Sequence, residues 1–423
     1  MRKSIPVLTG AALAVSLGAA IAWSPVPAAA QDECVIKVGR VVPITGALAA
    51  VGKMTPWVDE NKMKVVKEMG GIKVGGKTCT LDFTIYDSKS TVAGSAEAAT
   101  KAILDDKVDV LMAQGTPDST NAPSDLCERY EIPCITSNTP IEAWLFGPDG
   151  KPKSFKNTFH FFFGVPDLVT NHIGMIKALP GGFNGKIGFL YPNDPDGVVF
   201  ASLFDPAFKA QGWDPVDPGR FEQGLPDFSA IINQFKRGRV EVVTGVLAPP
   251  DLQNYLQQAA QAGFKPKMYV IDKATGYPDA MQAIGEPGID VLSVNFWSPA
   301  YPGQSQFGGW TGQEFADKYE AENQPLYYTP TGGYEDASYD VLIDALQRAG
   351  STDKAAIIKA LSETDLNTIA GQVKFNEQNF SVQPLGGAQW RVDEKTGRWV
   401  KDNVYNEVYP SVKKTNEMRV YQD

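Results

Sequence analysis

Val108-Asp109-Val110-Leu111-Met112-Ala113-Gln114-Gly115-Thr116-Pro117-Asp118-Ser119-Thr120 reads as a short buried strand that breaks at Gly115 and enters a helix through a cluster of capping residues. Such a turn gathers unpaired backbone N–H groups at the carboxyl end of a sheet, which is a place to hold a ligand. Nothing nearby supplies a nucleophile with a base, or a set of metal ligands. The stretch therefore points to a binding protein rather than an enzyme.

Strand and helix patterns alternate on either side of it, which predicts an α/β fold with parallel sheets flanked by helices. Upstream lie a strand over 35–42, a loop over 43–52, a helix opened by Thr55-Pro56 and closed by Gly70-Gly71, a strand carrying Leu81, Phe83 and Ile85, and a small-residue helix over 91–104. Downstream, a helix ends near Tyr130 and a strand covers 132–136. After Trp144 a stretch rich in Gly, Pro and Lys reads as a surface excursion to Lys156. The pattern restarts at Phe159-His160-Phe161-Phe162-Phe163. Strands are then expected over 186–191, 240–247, 267–271 and 289–295, with helices over 167–179, 197–211, 227–236, 251–262 and 277–284. Two similar lobes in series imply a cleft between them, and such interfaces are where small ligands tend to bind. Beyond Asn295 follow an aromatic, glycine-rich stretch to Trp310, helices over 334–349 and 352–362, and a β-like tail over 373–412.

A chain of 423 residues with 39 Lys+Arg against 49 Asp+Glu is moderately acidic and shows no basic run, which argues against a nucleic-acid partner. Arg2 and Lys3, an apolar run over 5–22, and Pro25 and Pro27 before Ala28-Ala29-Ala30 have the form of a signal peptide cleaved after Ala30. Export to the periplasm is expected, an uncleaved anchor being the alternative. Cys34 does not stand at the cleavage point, so no lipid anchor is indicated. The four cysteines allow three pairings, and Cys34 with Cys79 and Cys127 with Cys134 is the favoured one. With no CxxC and only two histidines a zinc site is disfavoured. No metal or other cofactor is expected. His160 and His172 are read as core or surface residues rather than ligand or catalytic ones, and Asp194, Asp196, Asp214 and Asp217 as turn caps. GxGxxG after a strand, a phosphate loop and a Gly-x-Ser-x-Gly elbow are all missing, which leaves an α/β enzyme as a minor alternative.

Five features in order, Thr45-Gly46 with Gly52, Gly70-Gly71-Ile72, Gly115 with Ser119-Thr120, Asp227-Phe228-Ser229-Ala230-Ile231-Ile232 and Ala262-Gly263-Phe264, resemble the type I periplasmic binding proteins of branched-chain amino-acid and amide ABC importers. The resemblance implies two Rossmann-like lobes joined by three crossovers: 31–158 plus 297–371, and 159–296 plus 372–423. It implies a monomer that binds a small organic molecule, closes on it and delivers it to a membrane permease, with a ligand sensor of the same fold as the alternative. It also carries over a site. The first lobe contributes Gly115, Thr116, Asp118 and Ser119 with Ser137, Asn138 and Thr139, and the loop at Ala50 and Val51; Asp272 or Lys273 contributes from the second, with Trp297 at the side. Pro117 removes an N–H from the first turn and Asp118 adds a negative charge, which argues against a ligand α-carboxylate there. Asp272 and Lys273 are adjacent on a strand end, so one of them is expected to face the cleft. Val51 and Asp196 stand at positions the family fills with aromatic side chains. Trp57, Trp144, Trp297, Tyr301, Tyr334, Phe162 and Phe163 are the candidates to compensate, which would suit an apolar or aromatic ligand body.

Overall fold

The computed structural model describes residues 1, 4–6, 10, 34–147 and 150–422; the expected signal segment and its cleavage site lie almost wholly outside the described residues. In a first pass the chain forms β1 (Cys34–Val42), α1 (Thr55–Glu68), β2 (Ile72–Val74), β3 (Lys77–Asp87), α2 (Val92–Thr100), β4 (Val110–Gln114), α3 (Pro117–Tyr130), β5 (Cys134–Ser137), α4 (Ile141–Leu145) and β6 (Thr158–Phe162). Crossing over, it forms α5 (Val165–Lys177), β7 (Lys186–Leu190), α6 (Pro195–Ala210), β8 (Asp214–Val216), α7 (Ser229–Gly238), β9 (Val242–Leu247), α8 (Pro249–Gln261), β10 (Met268–Lys273), α9 (Pro278–Ile284) and β11 (Leu292–Asn295). It returns through α10 (Gly312–Glu322), α11 (Pro330–Ala349), α12 (Lys354–Ser362), β12 (Asp365–Thr368), β13 (Gly371–Lys374) and β14 (Phe380–Val382), and ends with β15 (Gly386–Val392) and β16 (Trp399–Tyr405).

The first sheet has the order β14-β6-β5-β4-β1-β3-β2 and the second β16-β15-β11-β10-β9-β7-β8. Central strands such as β4 and β9 are buried along their whole length, as expected where helices cover both faces of a parallel sheet. Strand membership puts two of the crossings later than the sequence suggests. β6 pairs with β5, so the segment from 159 that was assigned to the second lobe still belongs to the first sheet. β14 pairs in parallel with β6, so the last exit follows Val382 rather than Gly371. In both cases an aromatic strand that looked like the start of a new lobe completes the edge of the old one. Among the elements that escaped sequence reading are β2, which forms a hairpin with β3 through Gly75-Gly76, and α10, whose Thr311/Glu314 capping box directly follows the aromatic, glycine-rich stretch.

Two buried cations hold α1 and α11 in place, Arg40 tying both to β1 and Lys62 tying α1 to α11. Arg40 lies beside Asp59 (3.2 Å) and Glu335 (3.3 Å) and donates to Gln114 (2.5 Å). Lys62 pairs with Asp336 (2.9 Å) and Asp340 (2.8 Å). An unpartnered charge at either place would be strongly destabilising, so both sets stand or fall together.

Cys34 and Cys79 are register neighbours on β1 and β3 and form a disulfide. Cys127 and Cys134, expected to form the second, are instead buried free thiols. They pack among Ala102, Ile103, Val108 and Ile132, and burial pushes the Cys127 thiol well above its ordinary range, so the thiolate that disulfide chemistry needs is suppressed. Thiol titration of the denatured, unreduced protein should therefore find two free thiols; none would mean that both bridges form. The Cys34–Cys79 bridge closes a sequence separation of 45 residues, so Cys34→Ser with Cys79→Ser should lower unfolding stability by about 2–4 kcal/mol in urea titrations.

Candidate ligand-binding cleft

The carboxyl ends of both sheets open on one cavity of about 60 Å³. From the first sheet it is lined by Thr116 and Pro117 after β4, Asn138 and Pro140 after β5, and Phe162 and Phe163 where β6 ends. From the second come Asp196 and Phe200 on α6, Val246 on β9, residues 272–277 with Tyr277 at their end, and Val294 and Phe296.

The turn after β4 depends on Gly115. Its φ is +132°, and a Cβ there would meet Pro43 at 3.3 Å and Val51 at 3.4 Å. Thr116 then caps α3 and its hydroxyl donates to Asp118 (3.0 Å), inside the first helical turn. The other hydroxyls here are spent within the protein. Ser119 meets Ser88 at 3.1 Å, Thr139 bonds Thr120 (2.7 Å) and the Gly115 carbonyl (3.2 Å), and Ser137 accepts from Gln114 (3.0 Å). His160 locks the loop after β5: Nε2–H donates to the Thr139 carbonyl (2.7 Å), leaving Nδ1 to accept from Thr136 (2.8 Å). Asn138 is the exception. It adopts φ +67°, is 8% exposed, and neither its amide oxygen nor its amide nitrogen has a hydrogen-bond partner.

Asp272 and Lys273 diverge as adjacent residues should. The Asp272 carboxylate turns into the second sheet, where it accepts from Val294 N–H (3.0 Å) and meets His172 Nε2 at 2.7 Å, with Thr244 at 3.1 Å from the other ring nitrogen. Lys273, at φ +68°, sends a side chain only 5% exposed into the cleft to Asp196 (2.9 Å), Asp194 (3.0 Å) and Asp118 (3.9 Å). Asp194 also caps α6, accepting from Gly197 N–H at 2.7 Å. Burial and the neighbouring carboxylates push Asp196 up to about 6 against the pull of Lys273. Burial opposes the Lys273 charge, but the three aspartates outweigh it and hold its pKa above the usual lysine range.

Further contacts join the halves around this cluster. Leu48 and Val51, with Ala50, pack against Ala248 and Tyr277; Lys53 pairs with Asp279; and Arg398 pairs with Glu320 at 2.6 Å. Thr116, Asn138, Asp272 and Lys273 thus line the cavity, and Asp118 reaches it through Lys273. Gly115, Ser119, Ser137 and Thr139 shape its wall from behind, whereas Ala50 and Val51 form part of the lobe contact. Trp297 is fully buried and donates to the Ile369 carbonyl, away from the cavity. Trp57 packs edge-on against Phe315 and Tyr319, and Trp144 stacks on Phe155 and His160, so these are core rings. The ring that compensates is Phe296, 5.0 Å from Phe162, with Phe200 and Tyr277 across the cavity; sequence reading missed all three. Asp196 was noted only as a non-aromatic position and turn cap. The signal that could have marked it is Asp194-Pro195-Asp196-Gly197 after β7, which repeats the strand, cap and helix order that follows β4.

The periplasmic binding protein family model matches residues 35–397. The chain belongs to this family. Among curated relatives, Leu/Ile/Val-binding protein homolog 8 of Brucella suis is 25% identical over 397 residues, 90% of this chain and 93% of that protein. Homolog 7 of Brucella abortus is 23% identical, covering 93% and 96%. Among solved structures, the Thermotoga maritima leucine-binding protein LivK superposes with a TM-score of 0.74 at 19% identity, covering 88% of this chain and 99% of that one. A Rhodopseudomonas palustris solute-binding protein in complex with 3,4-dihydroxybenzoic acid gives 0.69 at 19% identity, covering 87% and 96%. This periplasmic binding protein therefore has the two-lobed type I fold, and no helix among its described residues is long and apolar enough to cross a membrane.

Burial depresses the His160 pKa from 6.5 to about 3. Below pH 6.5 the unfolded chain takes up a proton that the folded protein refuses until about pH 3, so this stabilisation is intact above 6.5 and is lost as pH falls. The loss should reach about 2 kcal/mol by pH 5. Urea unfolding at pH 7.5 and pH 5 should show that difference shrinking in His160→Gln.

Proposed function

We propose that this periplasmic binding protein is the exported solute-binding component of an ABC importer, which encloses a small organic molecule between its lobes and presents it to a membrane permease. The observation that carries the reading is the buried, unpartnered Asn138 amide in the wall of a cavity built from the strand ends of both sheets and lined by Phe162, Phe163, Phe200 and Phe296. A buried amide without partners is a standing cost, and a solute that satisfies it stabilises the closed form. The aromatic wall suits a solute with an apolar or aromatic body. Contacts made to both lobes exist only when they are shut, so they drive closure by differential affinity. The protein acts as a monomer in the periplasm, after cleavage behind Ala30, and needs no cofactor. Solutes named for the structural neighbours, leucine and a dihydroxybenzoic acid, set the size range of the search.

Native mass spectrometry of the protein as purified should show a bound small molecule, and thermal-shift screening against amino acids, amides, aromatic acids and amines should return binders. Asn138→Ala and Phe296→Ala should each weaken binding about tenfold or more, since each removes a buried hydrogen bond or ring contact on the order of 1–3 kcal/mol. A protein that retains nothing and responds to no compound in the panel would refute solute binding.

A further inference from the structure

We infer that the solute carries a cationic group, an ammonium or substituted amine beside an apolar or aromatic body, and that Lys273 occupies that group's place in the solute-free closed protein. The inference rests on the proposed solute-binding reading and names its ligand class. Its first ground is charge. Lys273 faces three carboxylates, Asp118, Asp194 and Asp196, at 2.9–3.9 Å, so the cluster has a negative surplus before any solute enters. Asp251, bonded to Gly224 N–H, and the buried Tyr277 phenol also act on the cluster and bring no positive charge, while Asp272 is held by His172 and Val294 and is the group on which the partly buried Lys401 acts. Among the described residues lining the cavity, Lys273 is the one lysine or arginine.

The second ground is position. α3 and α6 both aim their amino termini at the cleft, and such termini receive anions. Here the chain's own carboxylates already fill them: Asp118 in the first turn of α3, Asp194 at the cap of α6 and Asp196 in its first turn. A carboxylate brought by a solute would meet occupied helix ends and enlarge a buried negative surplus, whereas an ammonium would reduce it. No three of the metal-ligating side chains among the described residues converge to hold a metal ion, so the fitting cation is an organic one.

The third ground is independent of the charges. Asn138 lines the same cavity with its amide oxygen and nitrogen buried and without partners, so a small turn of the side chain would bring the oxygen to an ammonium N–H. Phe162, Phe163, Phe200, Phe296 and Tyr277 offer ring faces, the surface that attracts alkylammonium groups. Lys273 itself is held at φ +68°, a conformation uncommon for a residue with a side chain, and its pairing with the aspartates keeps it there. An incoming amine takes over these partners and lets Lys273 swing towards solvent.

The test is calorimetry on the mature full-length chain, with phenethylamine, benzyltrimethylammonium and choline set against benzoate, phenylacetate, leucine and phenylalanine. Cationic probes should bind and the carboxylates should not, and raising the salt concentration should weaken binding. Lys273→Met should bind the cations about tenfold more tightly, and Asp196→Asn at least tenfold more weakly. Should Lys273→Met fail to fold, as judged by circular dichroism, Lys273→Gln carries the same expectation. Preferred binding of benzoate, phenylacetate or the amino acids, abolished by Lys273→Met, would assign Lys273 to an anion and overturn the cation, while leaving solute binding intact. Silence from every probe, together with no retained molecule in native mass spectra, would overturn both.

Discussion

Lys273 carries a positive charge on a side chain 5% exposed, between two sheets that belong to different passes of the chain. An enclosed ammonium without partners costs several kcal/mol, so the partners have to be present whenever the cleft is shut. They come from both sides: Asp194 and Asp196 from the start of α6, Asp118 from the start of α3. The same cluster therefore closes the molecule and fills the space where a solute would sit. Lys53 with Asp279 and Arg398 with Glu320 also span the halves, but these pairs are partly exposed, so each contributes little and neither determines what the cleft accepts.

The buried charges of the first half do a different job. Arg40 pins α1 and α11 to β1, Lys62 joins the two helices, and Arg40 passes its bonding on through Gln114 to Ser137 and Ser338. Gln114, at the centre of that network, bonds Arg40, Ser137 and Ser338 at once, which braces the end of β4 against β1, β5 and α11. That bracing reaches the cleft through Gly115, Thr139 and His160, each of which fixes a loop end without offering it to a solute. Asn138, at the end of that scaffold, is the residue whose buried amide the protein leaves without a partner.

Much of the architecture was legible in the chain because strand and helix periods are local. The β4-to-α3 turn, the strand ends of both sheets and the Cys34–Cys79 pairing follow from residues near one another in sequence or from parallel register. The crossings were less legible. The aromatic residues of β6 and β14 look equally like the opening of a new lobe, and only pairing assigns them: β6 to β5, and the edge strand β14 to β6. Cys127 and Cys134 misled for a related reason, since a plausible spacing says nothing about the apolar packing that keeps a thiol protonated.

Around the cavity, sequence reading named loops that line it, and several of the side-chain atoms it named bond within the protein. Ser119, Ser137 and Thr139 have the hydroxyls a ligand would want, but neighbours from other elements take those hydroxyls first. The chain by itself determined the order of strands and helices, the glycine-dependent turn after β4 and the placing of Asp272 and Lys273 at a strand end, because backbone geometry within a few residues is enough for each. Only the tertiary structure decided that Asp272 turns inward to His172, 100 positions away, while Lys273 turns to carboxylates of both lobes. Alternation along a strand requires two neighbours to face opposite ways, but which one faces the cleft depends on partners that folding brings from far along the chain.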